Sequence, residues 1–554
     1  MANEDTLPKH HAPTRTEKKV ILASSLGTAF EWYDFYLYGL LATYISAQFF
    51  SGVNETTAFI LALGAFAAGF AVRPFGSLVF GRLGDLVGRK YTFLVTMTLM
   101  GLSTFAVGFL PNYASIGIAA PIILVFLRLL QGLAVGGEYG GAVTYVAEHA
   151  PQGKRGFFTS FIQTTATIGL FTALLLVIGL RWLLGEEAFA DWGWRVPFLV
   201  SILLLAISLW IRLQLAESPV FQKMKEEGTT SKAPLREAFA RWGNLKFVLI
   251  ALFGAVAGQG VIGYTGQFYT LFYLERIARI DSGTANILLV IALVISTPTY
   301  VFFGWLSDRI GRKKIILTSC AIATFTLFPL FQLLTHAANP ALAEAVERAP
   351  VTVVAPAREC SFQFDPIGKN TFDTTSCDIA KAYLARSGVN YTNVAAPAGT
   401  VAEVRVAGTA IAAPDPARVT GEARAAAIDA FRAEVGAVLA EAGYPARADP
   451  ERVNRPLVIA VIVMIMLLVT SAYAPLAAML VELFPARIRY TSMSLPYHIG
   501  NGWFGGFLPT VAFAMVAATG NIYYGLWYPV LVAAMTVIVG LIFLPETFRR
   551  NIDE

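Results

Sequence analysis

Twelve stretches of mostly apolar residues, each about 20 residues or longer, run through this 554-residue chain, and a helix needs that length to cross the hydrocarbon core of a bilayer. They fall at 20–48, 56–80, 91–110, 116–147, 157–184, 194–213, 246–274, 284–305, 315–336, 455–481, 491–518 and 522–544. The fourth is too long for a perpendicular crossing, so it is expected to tilt or to extend into the interface. None alternates like a barrel strand. Only 14% of the residues are charged, against roughly 25% in a soluble domain. An ordinary soluble enzyme and a disordered chain are therefore excluded. The net charge of +5 is too small and too dispersed for a nucleic-acid footprint, and three cysteines exclude a disulfide-dense scaffold. The expected fold class is an all-α membrane protein surrounded by the lipid bilayer.

Orientation follows from the loops. Residues 1–19 are polar and hold Lys9, Arg15, Lys18 and Lys19. The first apolar run is too long for a cleavable signal and lacks a small-residue cleavage site. The loops at 81–90, 148–156, 214–245, 306–314 and 482–490 are rich in Lys and Arg, whereas those at 49–55, 111–115 and 275–283 carry only Arg276 and Arg279. Basic loops stay inside, so the tail 1–19, the central loop 214–245 and the tail 545–554 are expected to be cytoplasmic.

Residues 337–453 interrupt the pattern. This segment holds 11 Lys+Arg and 14 Asp+Glu and no span, and span parity places it outside. Two of the three cysteines, Cys360 and Cys377, lie in it, and an extracytoplasmic loop permits a disulfide; two free thiols is the alternative. Residues 421–442 read as a helix on propensity. The segment is either a small α/β domain or a loose loop.

The chain also repeats itself. Gly81 to Lys90 (GRLGDLVGRK) matches Gly304 to Lys313 (GWLSDRIGRK) at six of ten positions. A weaker echo relates Glu148, Pro151 and Arg155 to Glu482, Pro485 and Arg489. Together these predict two pseudo-symmetric six-helix bundles, 20–213 and 246–336 with 454–544, the insertion lying between spans nine and ten. Two such halves suit alternating access by rocking. In the repeated decapeptide, Gly81 and Gly88 permit a tight turn and close helix approach. Asp85 can accept from a helix N-terminus or a basic side chain and so brace a closed cytoplasmic gate. Arg89 and Lys90 can hold loops or simply anchor in the headgroup region. Asp308, Gly311, Arg312 and Lys313, with Glu148, Arg155, Glu482 and Arg489, complete the candidate gate.

The decapeptide resembles the signature loop of the major facilitator superfamily. Further segments resemble its metabolite:H⁺ symporter family: Ser25 and Gly27 before Glu31-Trp32-Tyr33-Asp34-Phe35, Arg73-Pro74-Phe75-Gly76, Arg128 with Gln131-Gly132, Gly136-Gly137-Glu138-Tyr139-Gly140-Gly141, Trp194-Arg195 with Pro197-Phe198, Glu217-Ser218-Pro219, and Pro485 with Arg489-Tyr490. The resemblance covers both halves and not the insertion, which replaces a short loop. It implies a bacterial inner-membrane importer of organic acids or osmolytes, of the kind that carries α-ketoglutarate, citrate, shikimate, proline or betaine.

Ionisable residues inside spans are functional candidates by default. Glu31 and Asp34 share a helix face near mid-membrane, roughly 17–21 Å along span one at ~1.5 Å per residue, and paired carboxylates in low dielectric suit a proton carrier. Asp34 is the first candidate for the proton site and Glu31 the second. Arg73 and Arg128 are each either a counter-ion to Asp34, Glu31 or Glu138, or a clamp for a substrate carboxylate. An Arg serving both would couple substrate to proton. Gln131 and Gln163 add polar candidates. The four glycines around Glu138 read as helix packing. The second half offers Tyr264, Gln267, Tyr497, His498 and Asn501 to shape the far wall, and interfacial or packing roles are the alternative for each.

There is no nucleotide-binding loop, no HExxH and no paired CxxC. No cofactor or metal is expected, H⁺ being the coupling ion, and no enzymatic activity. The expected function is proton-coupled uptake of a small carboxylate or zwitterion by a monomer. The rivals are a facilitator or antiporter of the same fold, and a membrane sensor using the insertion.

Overall fold

The computed structural model describes residues 25, 28–30, 32–34, 36–51, 55–214, 217–361 and 372–552. Glu31 lies outside the described residues. Ten helices in that set are long and apolar enough to cross a membrane: Arg89–Phe109, Ala119–His149, Arg155–Leu184, Gly193–Leu213, Trp242–Ile277, Ser282–Ile310, Arg312–Ala338, Arg455–Leu483, Ala486–Val516 and Tyr524–Phe543. These are spans three to twelve. Span two is the helix Glu55–Leu86, and span one ends in Ala42–Phe49. The architecture is twelve helices in two bundles. Its outer faces carry Phe126, Leu175, Trp182, Trp210, Phe325 and Ile542, all exposed, as a lipid-facing belt requires.

Two features of the helices differ from expectation. The decapeptide segments are not loops. Span two continues through Leu86, and span three begins at Arg89. Val87 and Gly88 make the whole turn, with Gly88 at φ 137, and Gly311 alone makes the corresponding turn at φ 108 between spans eight and nine; neither glycine conformation suits a residue with a Cβ. Loops this short leave no room for irregular backbone at the membrane surface, so the motif side chains project from rigid helix ends. Span seven is broken by π turns at Leu252–Val256, Thr265–Tyr269 and Tyr273–Ile277, and span eleven by one at Ile499–Gly505. Such turns are frequent at functional sites.

Spans two and four pack backbone to backbone. A Cβ on Gly136 would strike span two at Arg73, Gly76 and Ser77, and one on Gly132 would strike Gly69. Small residues at such crossings let helices meet by van der Waals contact. Gly137, Gly140 and Gly141 face Phe80, Ser494 and Tyr490 in the same way, so these glycines are packing residues.

The insertion takes the first of its two expected forms. It folds as a small α/β domain on a four-stranded sheet of order β2-β1-β3-β4: β1 (Val351–Ala355), β2 (Tyr391–Ala395), β3 (Glu403–Val406) and β4 (Thr409–Ala412). β1 and β2 are parallel, joined through the helix Ser376–Arg386, and the other pairs are antiparallel. Residues 421–442 hold the helix Glu422–Glu441, which buries Ile428, Phe431, Val435 and Leu439. The domain has its own core, including Val353, Leu384, Val404 and Phe431. Cys360 and Cys377 form a disulfide, and Cys320 is a buried free thiol.

Candidate functional site

Two polar regions lie inside the bundles, one near mid-membrane and one at the end away from the insertion. The first is built on Asp34, 1% exposed. Its Oδ2 accepts from Thr104 Oγ1 at 2.5 Å and from Gln131 Nε2 at 3.4 Å. Gln131 Nε2 also donates to Thr104 Oγ1 at 3.0 Å, and Gln131 Oε1 accepts from Arg128 Nη1 at 2.5 Å. Gln131 thus bridges the carboxylate and the guanidinium, joining spans one, three and four. The guanidinium lies over the Tyr38 ring, 3.9 Å from its centroid. Arg128 Nε and Nη2 have no hydrogen-bond partner among the described residues. A buried guanidinium with unused donors is an expensive arrangement and offers a place for an anionic ligand.

Arg73 of span two is half-buried. Its guanidinium lies 4.3 Å from the Phe70 centroid, and its charge is felt by His498 of span eleven. Rings from both bundles meet beside it. Trp32 stacks on Tyr36, Tyr36 on Phe268, and Phe268 on Tyr264, with Phe70 edge-on to Tyr264. Tyr36 OH donates to Gln267 Oε1 at 3.3 Å. A second crossing joins Gln163 Nε2 to Tyr139 OH at 3.0 Å, Tyr139 face to face with Tyr497 at 3.5 Å, and Tyr497 OH to Tyr473 OH at 2.6 Å. Asn501 Nδ2 donates to the Tyr497 carbonyl at 3.3 Å. Glu138, fully buried, interacts electrostatically with Arg212 at the end of span six and with Tyr490. It thus stands toward the second region.

That second region is built twice. Asp85 Oδ2 accepts from Thr491 N–H at 2.8 Å and Oδ1 from Tyr490 N–H at 3.3 Å, at the start of span eleven. Asp308 accepts from Gly156 and Phe157 N–H, both at 2.8 Å, at the start of span five. A carboxylate at a helix N-terminus meets orphan N–H groups and the positive end of the dipole. Each aspartate also holds an arginine one turn on: Arg89 at 2.9 Å and Arg312 at 2.7 Å. Glu148 pairs with Arg489 at 2.7 Å, and Glu482 with Arg312 at 3.1 Å and Arg155 at 3.7 Å. Lys90 Nζ donates to Leu213 O and Lys313 Nζ to Leu541 O, each at 3.1 Å. A Cβ on Gly81 would stand 2.9 Å from Thr491 Cα. The aspartate caps, the Glu148–Arg489 pair and the Arg155–Glu482 pair run from one bundle to the other, so this end is shut.

Sequence reasoning found Asp34, Arg128 and the repeated gate carboxylates and arginines, and missed several of their partners. Thr104 gives no signal, because a threonine in a span usually bonds its own helix. Glu217 accepts from Arg89 and Lys90 N–H at 3.1 Å, and Glu546 from Arg312 N–H at 2.9 Å. Ser218 donates to Glu148, and Thr547 to Glu482 at 2.8 Å. A search for acidic-hydroxyl pairs just past spans six and twelve would have found these. Among the described residues no group of three or more His, Cys, Asp or Glu is arranged to hold a metal.

Comparison with known proteins agrees with this architecture. Residues 19–241 and 433–554 match the sugar (and other) transporter family, and residues 139–357 match the MFS/sugar transport protein family. The chain is 37% identical over 349 residues to the inner membrane metabolite transport protein YhjE of Escherichia coli (strain K12), covering 60% of this chain and 76% of that protein. It is 36% identical over 330 residues to a Staphylococcus haemolyticus (strain JCSC1435) protein whose name assigns it, provisionally, to proline/betaine transport, covering 59% of this chain and 69% of that one. The solved structure of the proton:xylose symporter XylE bound to 6-bromo-6-deoxy-D-glucose has the same fold, with a TM-score of 0.63 at 14% identity over 98% of this chain and 99% of that one. The chain belongs to the sugar (and other) transporter family of the major facilitator superfamily.

Proposed function

We propose that this transporter couples inward proton movement to uptake of a small carboxylate-bearing solute, an organic acid or a zwitterion. The observation that carries the reading is the bonded series Asp34–Gln131–Arg128, buried in one bundle with two guanidinium nitrogens unused. Asp34 is the proton site. When Asp34 is charged, Gln131 and Thr104 satisfy it and Arg128 is held by Gln131. When it is protonated, Gln131 is released, and Arg128 and Arg73 offer N–H groups to a substrate carboxylate. Proton and substrate then favour each other, a reciprocal coupling. Gln163, Tyr264, Gln267, Tyr497, His498 and Asn501 form the facing wall. The Asp85–Arg89 end is cytoplasmic by its basic loops, the insertion lies outside, and the relative whose name places it in the inner membrane supports the same location for this chain.

The test is uptake into proteoliposomes under an imposed inward proton gradient, with a panel of mono-, di- and tricarboxylates, aromatic acids and betaines. One solute should accumulate above its outside level and lose that accumulation on adding an uncoupler. Asp34→Asn should keep only downhill flux. Equilibration without accumulation would favour a facilitator, and accumulation by Asp34→Asn would remove the aspartate from the mechanism.

A further inference from the structure

The insertion is not needed to join its neighbours. Asn454 N–H donates to the Ala337 carbonyl at 2.9 Å, so the neck is closed and a few residues would connect spans nine and ten. Yet the domain does not hang free on that neck. It grips the end of span seven: Ala448 N–H donates to the Arg279 carbonyl at 3.0 Å, Arg279 Nη1 donates to the Pro445 carbonyl, and a Cβ on Gly388 would stand 2.8 Å from the Arg276 carbonyl. Gly388 is left-handed at φ 57, which a glycine adopts without strain. The domain also grips the turn between spans eleven and twelve. Tyr391 N–H donates to the Gly520 carbonyl at 2.9 Å, Asn393 Nδ2 to the Thr519 carbonyl at 2.7 Å, and Asn390 Oδ1 accepts from Ile522 N–H at 3.2 Å. All these partners belong to the second bundle.

What is gripped is the least regular span among those described. Its last π turn, Tyr273–Ile277, ends at the insertion, and its middle one, Thr265–Tyr269, carries Gln267 and Phe268. Those two side chains are the ones that meet Tyr36 of the first bundle. Fixing the end of this helix fixes where the side chains along it stand against the first bundle.

We propose that the insertion is a positioning element for transport. By tying the end of span seven to the turn between spans eleven and twelve, it holds Gln267 and Phe268 against Tyr36 and shuts the path between the bundles on its own side. Asn390, Asn393 and Gly388 are the residues through which it acts. The proposal rests on reading the space between the bundles as the substrate path, but its test uses neither substrate nor proton gradient, so the two can fail separately.

The experiment places a reporter cysteine at Gln267 (Gln267→Cys with Cys320→Ala) in the full chain, oxidised and reconstituted in nanodiscs, where both faces are open to a bulky maleimide. Labelling at 267 should be slow. It should quicken about tenfold in Asn390→Ala/Asn393→Ala and in Gly388→Val. A control cysteine at Thr159, buried at the opposite end, should label at an unchanged rate in the same variants. The proposal is overturned if both folded variants leave the rate at 267 unchanged, or if 267 and 159 quicken alike, which would mean general loosening. Should Gly388→Val misfold, the double asparagine variant alone decides, because it removes two surface hydrogen bonds and no core residue.

Discussion

Asp85, Arg89, Glu148, Glu217 and Ser218 at the gate end have counterparts in Asp308, Arg312, Glu482, Glu546 and Thr547, and each set binds helix starts and basic side chains in the same pattern. Near mid-membrane the correspondence stops. The carboxylate and the arginines, Asp34, Arg73 and Arg128, all come from the first bundle, and the second supplies aromatic and amide groups such as Tyr264, Gln267 and Tyr497. The difference fits the roles proposed for the two regions. Halves that rock apart must release helices on both sides of the pseudo-symmetry axis, so the lock is doubled. A proton needs one site, and duplicating a buried charge in hydrocarbon only adds desolvation cost. The doubled lock is still uneven. Glu148 reaches across to Arg489 at 2.7 Å, while Glu482 lies nearer its own bundle's Arg312, at 3.1 Å, than Arg155 across the interface, at 3.7 Å.

The largest effect is expected at the unduplicated centre. Asp34→Asn should abolish gradient-driven accumulation and leave downhill flux, as measured by the proteoliposome assay. Retained accumulation would show that coupling has a second seat. Next comes the unevenness of the lock. Glu148→Gln leaves Arg489 buried without its anion, a class of change that costs up to about 3–5 kcal/mol. It should open the gate end, seen as faster labelling of a cysteine at Thr159. Glu482→Gln should open it less, because the cross-bundle distance it sacrifices is already 3.7 Å; equal effects would make the two locks equivalent.

Smaller effects come from sterics. Gly304→Ala places a Cβ 2.5 Å from Ser160 Cβ, and Gly81→Ala one 2.9 Å from Thr491 Cα. Overpacking of this kind costs about 1–3 kcal/mol, so both should bias the gate open, Gly304→Ala more. Melting curves and the same labelling assay would report it. The smallest effect is expected at a surface cluster that the gate and the centre do not touch. Tyr44 OH donates to Glu186 Oε1 at 2.6 Å, and Arg181 pairs with Glu186 at 2.8 Å. The hydrogen bond from Tyr44, then that from Arg181, hold the Glu186 carboxyl below the usual carboxylate range. A lowered folded value stabilises above the unfolded value, and the contribution is lost as pH falls through the folded one. Because the pair is exposed, its worth is on the order of 0.5 kcal/mol. Tyr44→Phe should therefore lower the melting temperature slightly at pH 7, with the difference vanishing in acid, while labelling at 159 stays unchanged.

The spans were legible because lipid imposes a length and an apolar composition on every crossing, and ten of them reappear within a few residues of their expected bounds. The gate was legible because it occurs twice, so Glu148 and Arg489 could be picked out by their echo. Other parts were hidden for identifiable reasons. Thr104 and Tyr38 bond and stack through neutral atoms that look like any span residue. Arg212 closes span six as an ordinary basic end residue, and nothing in its spacing announces that Glu138 lies within its field. The sheet of the insertion rests on strands of four and five residues in an Ala- and Pro-rich segment, too short for alternation to register against a turn.

Local chemistry therefore settled the membrane, the number of crossings, the two-fold repeat and which side chains could carry charge or form a disulfide, since each depends on composition or spacing along one stretch of chain. Which arginine joins Asp34 through Gln131, which carboxylate pairs across the bundles, and where the inserted domain grips were settled by packing. Those pairings join residues hundreds of positions apart, as with Glu148 and Arg489 or Asp85 and Thr491, and a contact of that kind exists only once helices have chosen their neighbours.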